Sequence, residues 1–86
     1  MRIQKNIAIS DSGFLFNPAT GESFTVNPIG LEIINLLSEG KTESEICVTI
    51  TERYFVELPV VNRDLHDFIH MIKQHQLTDT NGGENN

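Results

Sequence analysis

The stretch from Gly13 to Val26, GFLFNPATGESFTV, decides the fold of this chain. Phe14 to Phe16 has the composition of a short strand. Asn17 to Gly21 then supplies turn chemistry, since its proline fixes φ and its glycine tolerates a left-handed conformation. Glu22 to Val26 alternates apolar and polar residues, which is typical of a half-buried strand. The pattern predicts a β-hairpin.

A further strand is predicted immediately before this hairpin. Lys5 to Ser10 places Ile7 and Ile9 on one strand face, and the Asp-Ser-Gly sequence that follows is a turn signal. Two tight connections in a row predict an antiparallel meander with Phe14 to Phe16 in the middle and Glu22 to Val26 at an edge. Aromatic residues at alternate strand positions usually face the core, so we expect Phe14 and Phe16 to be buried and leave Phe24 open.

After Val26 the apolar period changes from two to that of a helix. Asn27 followed by a proline predicts a helix start, and Gly40 predicts its end. Thr42 and Glu45 have the spacing of a capping box for a second helix. A third helix is predicted from near Pro59 to near His75. The predicted helical core residues are Ile29, Ile33, Leu36, Leu37, Ile46, Ile50, Tyr54, Val61, Leu65, Phe68, Ile69, Ile72 and Leu77.

These elements predict one α+β domain over residues 1–77. An N-terminal three-stranded antiparallel sheet precedes a three-helix bundle, in a winged-helix-like arrangement. Residues 78–86 read TDTNGGENN and contain no apolar side chain that could offset the entropy of ordering. We therefore expect a disordered C-terminal tail there.

The charge balance disfavours several classes of function. Twelve acidic and six basic residues give a formal charge of −6, and the basic residues are scattered singly. Nucleic acids and anionic membranes attract clustered Lys and Arg, so neither is an expected partner. No apolar run approaches the about 18 residues of a membrane span, and no signal-peptide pattern begins the chain, which predicts a cytoplasmic protein.

A set of motifs follows in a defined order and spacing along the chain: Gly13–Pro18, Thr20–Phe24, Asn27–Gly30, Glu45-Ile46, Ile50, Arg53-Tyr54, and the series Asp64, Phe68 and Ile72. Their order and spacing resemble the PqqD family, named after coenzyme PQQ synthesis protein D and also described as leader-peptide recognition elements. The resemblance spans about residues 7–77. The family often has a glycine before the terminal leucine, where this chain has Gln76.

The resemblance implies a peptide chaperone that is not itself an enzyme and needs no cofactor. In such domains the leader segment of a ribosomally made precursor peptide adds as a strand to the third strand and lies against the third helix. A separate modifying enzyme, often a radical-SAM enzyme in related systems, then acts on the peptide. On this chain the implied peptide-binding residues are Glu22, Ser23, Phe24, Thr25, Val26, Asp64, Leu65, Phe68, Met71 and Ile72.

Other interpretations of single residues stay open. Met71 has a packing role as readily as a groove role. Asp64 either favours the helix dipole or accepts a bond from the peptide. His66 and His70 have the spacing of a metal pair, but a solvated surface pair is favoured and no metal is expected. Cys47 is expected to be a buried, unreactive thiol.

The alternative function is a winged-helix DNA-binding regulator, since the second and third helices have the order of a helix-turn-helix. The third helix would then present Asp64 and Asp67 beside a single Arg63, which suits phosphates poorly. An enzyme has no sequence support. There is no glycine-rich phosphate loop and no nucleophile paired with a base, so no catalytic residues are predicted.

Overall fold

The computed structural model describes residues 1–79, and the predicted α+β architecture is confirmed. Three strands form an antiparallel sheet and three helices follow them. The elements, in chain order, are β1 (Arg2–Ile3), β2 (Ala8–Ile9), β3 (Phe14–Asn17), β4 (Glu22–Thr25), α1 (Pro28–Ser38), α2 (Glu43–Tyr54), α3 (Leu58–Gln74) and β5 (Thr78–Asp79).

The meander has the predicted order, with β3 between β2 and β4. Leu15 lies opposite Ile9 on one side and Phe24 on the other. The β2–β3 turn needs a glycine at position 13, which has φ +92° and where a Cβ would lie 2.5 Å from the Val26 carbonyl oxygen. This close approach fixes the register of the hairpin that carries β4.

The prediction that Phe14 and Phe16 are buried is wrong. Their side chains are 46% and 38% exposed, whereas Leu15 is fully buried and Asn17 is 1% exposed. Alternation correctly places both phenylalanines on one face, but that face is directed away from the helices. The helices cover the opposite face, so the inner face of β3 is the one that carries Leu15 and Asn17.

The helix starts have the predicted caps. The Gly30 N–H donates to Asn27 Oδ1 at 2.7 Å at the start of α1. At α2 the capping box is complete: the Glu45 N–H donates to Thr42 Oγ1, and the Thr42 N–H donates to Glu45 Oε1 at 2.8 Å. These bonds satisfy backbone donors that a helix start leaves unpaired.

All three helices and the inner face of the sheet share one core. Tyr54 and Phe68 are half-buried at its margin. Ile34 is a fully buried residue that the predicted stripe of α1 omitted. The buried apolar residues are Ile3, Ile7, Leu15, Ile33, Ile34, Leu36, Leu37, Ile46, Cys47, Ile50, Val61, Leu65, Ile69, Ile72 and Leu77.

The first strand and the segment after α3 meet in a two-stranded ribbon that was not predicted. Arg2 lies opposite Asp79, and Ile3 lies opposite Thr78. The prediction of a disordered tail is therefore wrong for Thr78 and Asp79. Their own sequence contains no strand signal, but β1 supplies the backbone partners that order them. Thr78 is 1% exposed. The rest of that predicted tail, residues 80–86, lies outside the described residues.

Candidate functional site

The outer edge of β4 has no partner strand within residues 1–79. Backbone hydrogen bonds show which groups of β4 point outward. The Val26 N–H donates to the Gly13 carbonyl, and the Ser10 N–H donates to the Phe14 carbonyl, each at 2.9 Å. Because paired positions alternate along antiparallel strands, Phe24 bonds to Leu15 and its two neighbours face away from β3.

Ser23 and Thr25 therefore direct their N–H and C=O groups to the free edge. This gives two donors and two acceptors in the geometry that a further strand requires. Their side chains lie on the outer face, opposite Phe16 and Phe14 respectively. Phe24, by contrast, has a half-buried side chain on the inner face.

One stripe of α3 runs beside β4 on this inner face. Asp64, Phe68, Met71 and His75 follow one another at spacings of four, three and four, which places them on one side of a helix. Phe68 and Met71 are half-buried and pack against the core. The free edge of β4 together with this stripe is called the β4–α3 surface below.

The apolar end of the β4–α3 surface is built around Gly30 at the start of α1. A Cβ at Gly30 would lie 3.0 Å from Val26 Cβ and 3.3 Å from Phe68 Cε1. The absence of a side chain at Gly30 therefore lets Phe68 close against α1 next to the end of β4. Asp64 lies one turn before Phe68 on α3 and is exposed.

The polar end of the surface is formed by His75, which sequence reasoning missed. The rings of His75 and Phe24 meet edge to face with centroids 4.7 Å apart. His75 Nδ1 also lies 3.7 Å from Glu22 Oε1, a pair that is charged on both sides only when the imidazole is protonated. Extending the stripe four residues past Met71 would have identified His75.

His75 is held in place by the C-terminal end of α3. The Leu77 N–H donates to the Ile72 carbonyl and the Gln76 N–H to the Lys73 carbonyl, which is a Schellman motif. Gln76 occupies the left-handed position of that motif with φ +60°. Two amide side chains donate to the Gln76 carbonyl: Gln4 at 2.7 Å and the buried Asn17 at 3.4 Å.

Two of the predicted peptide-binding residues do not reach the surface. Leu65 is 1% exposed and Ile72 is fully buried. Both fall on the side of α3 that faces the helical core, so their earlier placement in the groove wall is corrected. Of the other eight, Glu22 to Val26 lie on β4 or directly after it, and Asp64, Phe68 and Met71 lie on α3. Their role in peptide binding stays a prediction.

The remaining candidate residues lie elsewhere. His66 and His70 are exposed, and across residues 1–79 no three His, Cys, Asp or Glu side chains form a group suited to a metal. Cys47 is 6% exposed and its Sγ lies 3.7 Å from Asn62 Oδ1. Burial, with a smaller effect of Glu43, raises the pKa of the Cys47 thiol, which disfavours the reactive thiolate.

No helix within residues 1–79 combines the length and apolar character that a transmembrane span requires.

A free sheet edge beside a helix stripe with apolar residues is the arrangement with which small domains bind an extended peptide by strand addition. The model of one family, "Coenzyme PQQ synthesis protein D (PqqD)", matches residues 13–77. The chain belongs to the PqqD family. A search of the curated proteins found no match.

Two solved structures are similar to the chain. "TbiB1 in Complex with the TbiA(beta) Leader Peptide" is 35% identical with a TM-score of 0.81, and the alignment covers 90% of this chain and 93% of that one. "Lasso peptide synthetase B1 complexed with the leader peptide" is 23% identical with a TM-score of 0.76, and the alignment covers 86% and 91%. The second likeness concerns the fold alone.

Proposed function

We propose that this chain captures the leader segment of a ribosomally made precursor peptide on the β4–α3 surface and presents it to a separate modifying enzyme. The observation that carries the proposal is the outward direction of the Ser23 and Thr25 backbone groups beside the stripe of α3. Membership of the PqqD family supports it. So does the likeness to TbiB1, whose structure contains a leader peptide.

An estimate of the binding free energy indicates how much the backbone and the side chains each contribute to affinity. Four outward backbone groups at a net ~1 kcal/mol each contribute about 4 kcal/mol. Micromolar binding requires about 8 kcal/mol. Burial of one Leu or Phe of the peptide contributes ~1.5–3 kcal/mol, so two apolar anchors close the difference before the peptide's ordering is counted.

The register of an added strand places those anchors. Peptide residues opposite Phe24 and Val26 share the inner face with them and point toward Phe68 and Met71. Residues opposite Ser23 and Thr25 point to the outer face, which also carries the exposed Phe14 and Phe16 one strand further away. The expected ligand therefore carries apolar residues at alternate positions.

The proposed role is non-catalytic and cytoplasmic, and the partners are the precursor peptide and its modifying enzyme. Binding energy is used only to hold the substrate in an extended form. The DNA-binding alternative gains nothing from the fold: Asp64 and Asp67 are exposed on α3, and Arg63 lies 3.6 Å from Asp64.

The test is a selection from a library of random 12-residue peptides displayed on their own mRNA, with the full chain as bait. We expect enrichment of peptides with alternating apolar residues. An enriched peptide should shift the amide NMR signals of Ser23, Thr25 and the α3 stripe. Failure to enrich any peptide, or shifts confined to another face, would overturn the proposal.

Matched variants on α3 separate the stripe from the rest of the helix. Phe68→Ala and Met71→Ala should each weaken the enriched peptide about tenfold or more, because each removes apolar contact area. His70→Ala and Lys73→Ala change exposed residues on other sides of α3 and should leave affinity within about twofold. Circular dichroism of all four variants checks that the fold is retained.

A further inference from the structure

At the start of β4, Glu22 and Phe24 form a compact group with His75, a residue that the family resemblance did not point to. Phe24 and His75 present two rings edge to face at 4.7 Å. The Glu22 carboxylate lies beside them, 3.7 Å from the imidazole. The side chains of Glu22 and His75 are 49% and 39% exposed, so the group is open to an incoming ligand.

We infer that Glu22, Phe24 and His75 form a subsite for a basic side chain of the bound peptide, so that the chain selects leader segments with Lys or Arg at one defined position. The inference rests on the proposed function. A carboxylate provides the ionic and hydrogen-bonding partner. The face of the Phe24 ring attracts a cation, and both rings pack against its aliphatic stem.

The position of the basic residue follows from the strand register. Glu22 and Phe24 are two residues apart and share the inner face of β4, since the Glu22 carboxylate and the Phe24 ring both reach His75. A peptide residue directly opposite Glu22 has its Cβ about 5 Å from that of Glu22. A Lys or Arg side chain spans this separation easily.

The subsite therefore adds a third peptide residue, which is basic, to the two apolar anchors on the inner face. The basic residue lies two positions from the anchor opposite Phe24 and four positions from the anchor opposite Val26. In a peptide parallel to β4 the basic residue comes first, and in an antiparallel peptide it comes last.

The charges nearby leave the carboxylate available to a cation. Within residues 1–79 its charged neighbour is His75, which bears a positive charge only when protonated. Arg53 is paired with Glu32, and Arg63 lies beside Asp64. Lys73 belongs to α3 but stands about half a turn from the stripe that contains His75.

The test repeats the 12-residue peptide selection with three baits: the unchanged chain, Glu22→Lys, and Glu52→Lys. The last variant makes the same charge change at an exposed position on α2. The unchanged chain and Glu52→Lys should enrich Lys or Arg two positions from an apolar residue. Glu22→Lys should lose that preference and favour Asp or Glu there.

An affinity measurement gives the size of the effect. Replacing the basic residue of an enriched peptide by Gln should weaken binding to the unchanged chain about fivefold and binding to Glu22→Lys hardly at all. His75→Ala should reduce the preference for the basic peptide, and His75→Phe, which keeps a ring, should restore it.

Two failures are distinguishable. If no peptide binds the β4–α3 surface, the proposed function itself is wrong. If peptides bind there but show no excess of Lys or Arg at the position opposite Glu22, or if Glu22→Lys and Glu52→Lys enrich the same peptides, the basic subsite is overturned while peptide capture stands.

Discussion

Gln76, directly after the C-cap of α3, helps to fix the position of the candidate site. Gln76 adopts a left-handed conformation with φ +60° at the position where a Schellman motif favours glycine. Its carbonyl is bonded to Gln4 and Asn17, so the conformation is fixed by the backbone and not by the glutamine side chain. A residue other than glycine is strained there.

We predict that Gln76→Gly increases the free energy of unfolding by about 1 kcal/mol, because glycine adopts positive φ without the Cβ penalty. Urea denaturation measures the change. His70→Gly, at an exposed position inside α3, is the matched control and should destabilise by about 1 kcal/mol. A loss of stability in Gln76→Gly as well would show that the left-handed conformation carries no strain.

The contribution of Glu45 to the α2 capping box makes the stability of the chain depend on pH. The bond from the Thr42 N–H lowers the pKa of Glu45 from its ordinary value of 4.5. Since the folded pKa is below the unfolded one, the carboxylate's contribution to stability is complete above pH 4.5 and is lost as the pH falls through the folded pKa. Glu45→Gln accepts the same bond without titrating.

The chain should therefore be more stable than Glu45→Gln at pH 7, and the difference should be smaller at pH 3, below the ordinary glutamate pKa of 4.5. Thermal unfolding at the two pH values measures it. An equal difference at both values would mean that Glu45 contributes through something other than its charge.

At the scale of elements, the fold could be predicted wherever the signal is local. Turn residues gave the meander, and Asn27 and Thr42 gave the helix starts. Alternation grouped Phe14 with Phe16 but could not say which face the helices cover. The β1–β5 ribbon was missed because its strands have two residues each, too few for a periodic pattern, and because Ile3 and Thr78 meet only through the tertiary fold.

At the site, too, the residues that local sequence signals define could be predicted, and those that depend on tertiary packing could not. The residues of β4 were predicted because an edge position follows from strand order. Leu65 and Ile72 were misplaced because a helical stripe is wide, and only the packing shows which of its residues turn inward. His75 was missed because it lies at the end of α3, where the apolar pattern stops.

The edge of β4 yields a prediction for Thr25→Pro. Proline removes the Thr25 N–H, which points away from β3, so the sheet should persist while one bond to the peptide is lost. Peptide affinity should fall by at least about fivefold. Thr25→Val keeps the N–H and should bind within about twofold. Equal binding by both variants in a fluorescence titration would contradict strand addition at β4.

At the scale of the whole molecule, the ribbon formed by β1 and β5 stabilises the site. Ile3 is 6% exposed in the core, and the Gln4 N–H donates to the Leu77 carbonyl at 2.8 Å. β1 and Gln4 therefore stabilise the C-terminal end of α3, which positions His75. The formal charge of −6 suits a peptide with basic residues better than a nucleic acid.

We predict that Ile3→Ala lowers the free energy of unfolding by about 2–4 kcal/mol, the usual cost of truncating a buried isoleucine. Lys5→Ala, at an exposed position nearby, should change it by less than about 0.5 kcal/mol. Urea denaturation compares the two. If both variants changed the free energy of unfolding by a similarly small amount, the β1–β5 ribbon would not stabilise the domain.

Hydrogen exchange of the amides of β4 tests strand addition most directly, with and without an enriched peptide. In the free chain, the Phe24 N–H should exchange slowly and those of Ser23 and Thr25 fast, because only the first is bonded to β3. Saturation with peptide should slow Ser23 and Thr25 at least about tenfold and leave Phe24 little changed. Unchanged exchange at Ser23 and Thr25 in the saturated complex would contradict the account.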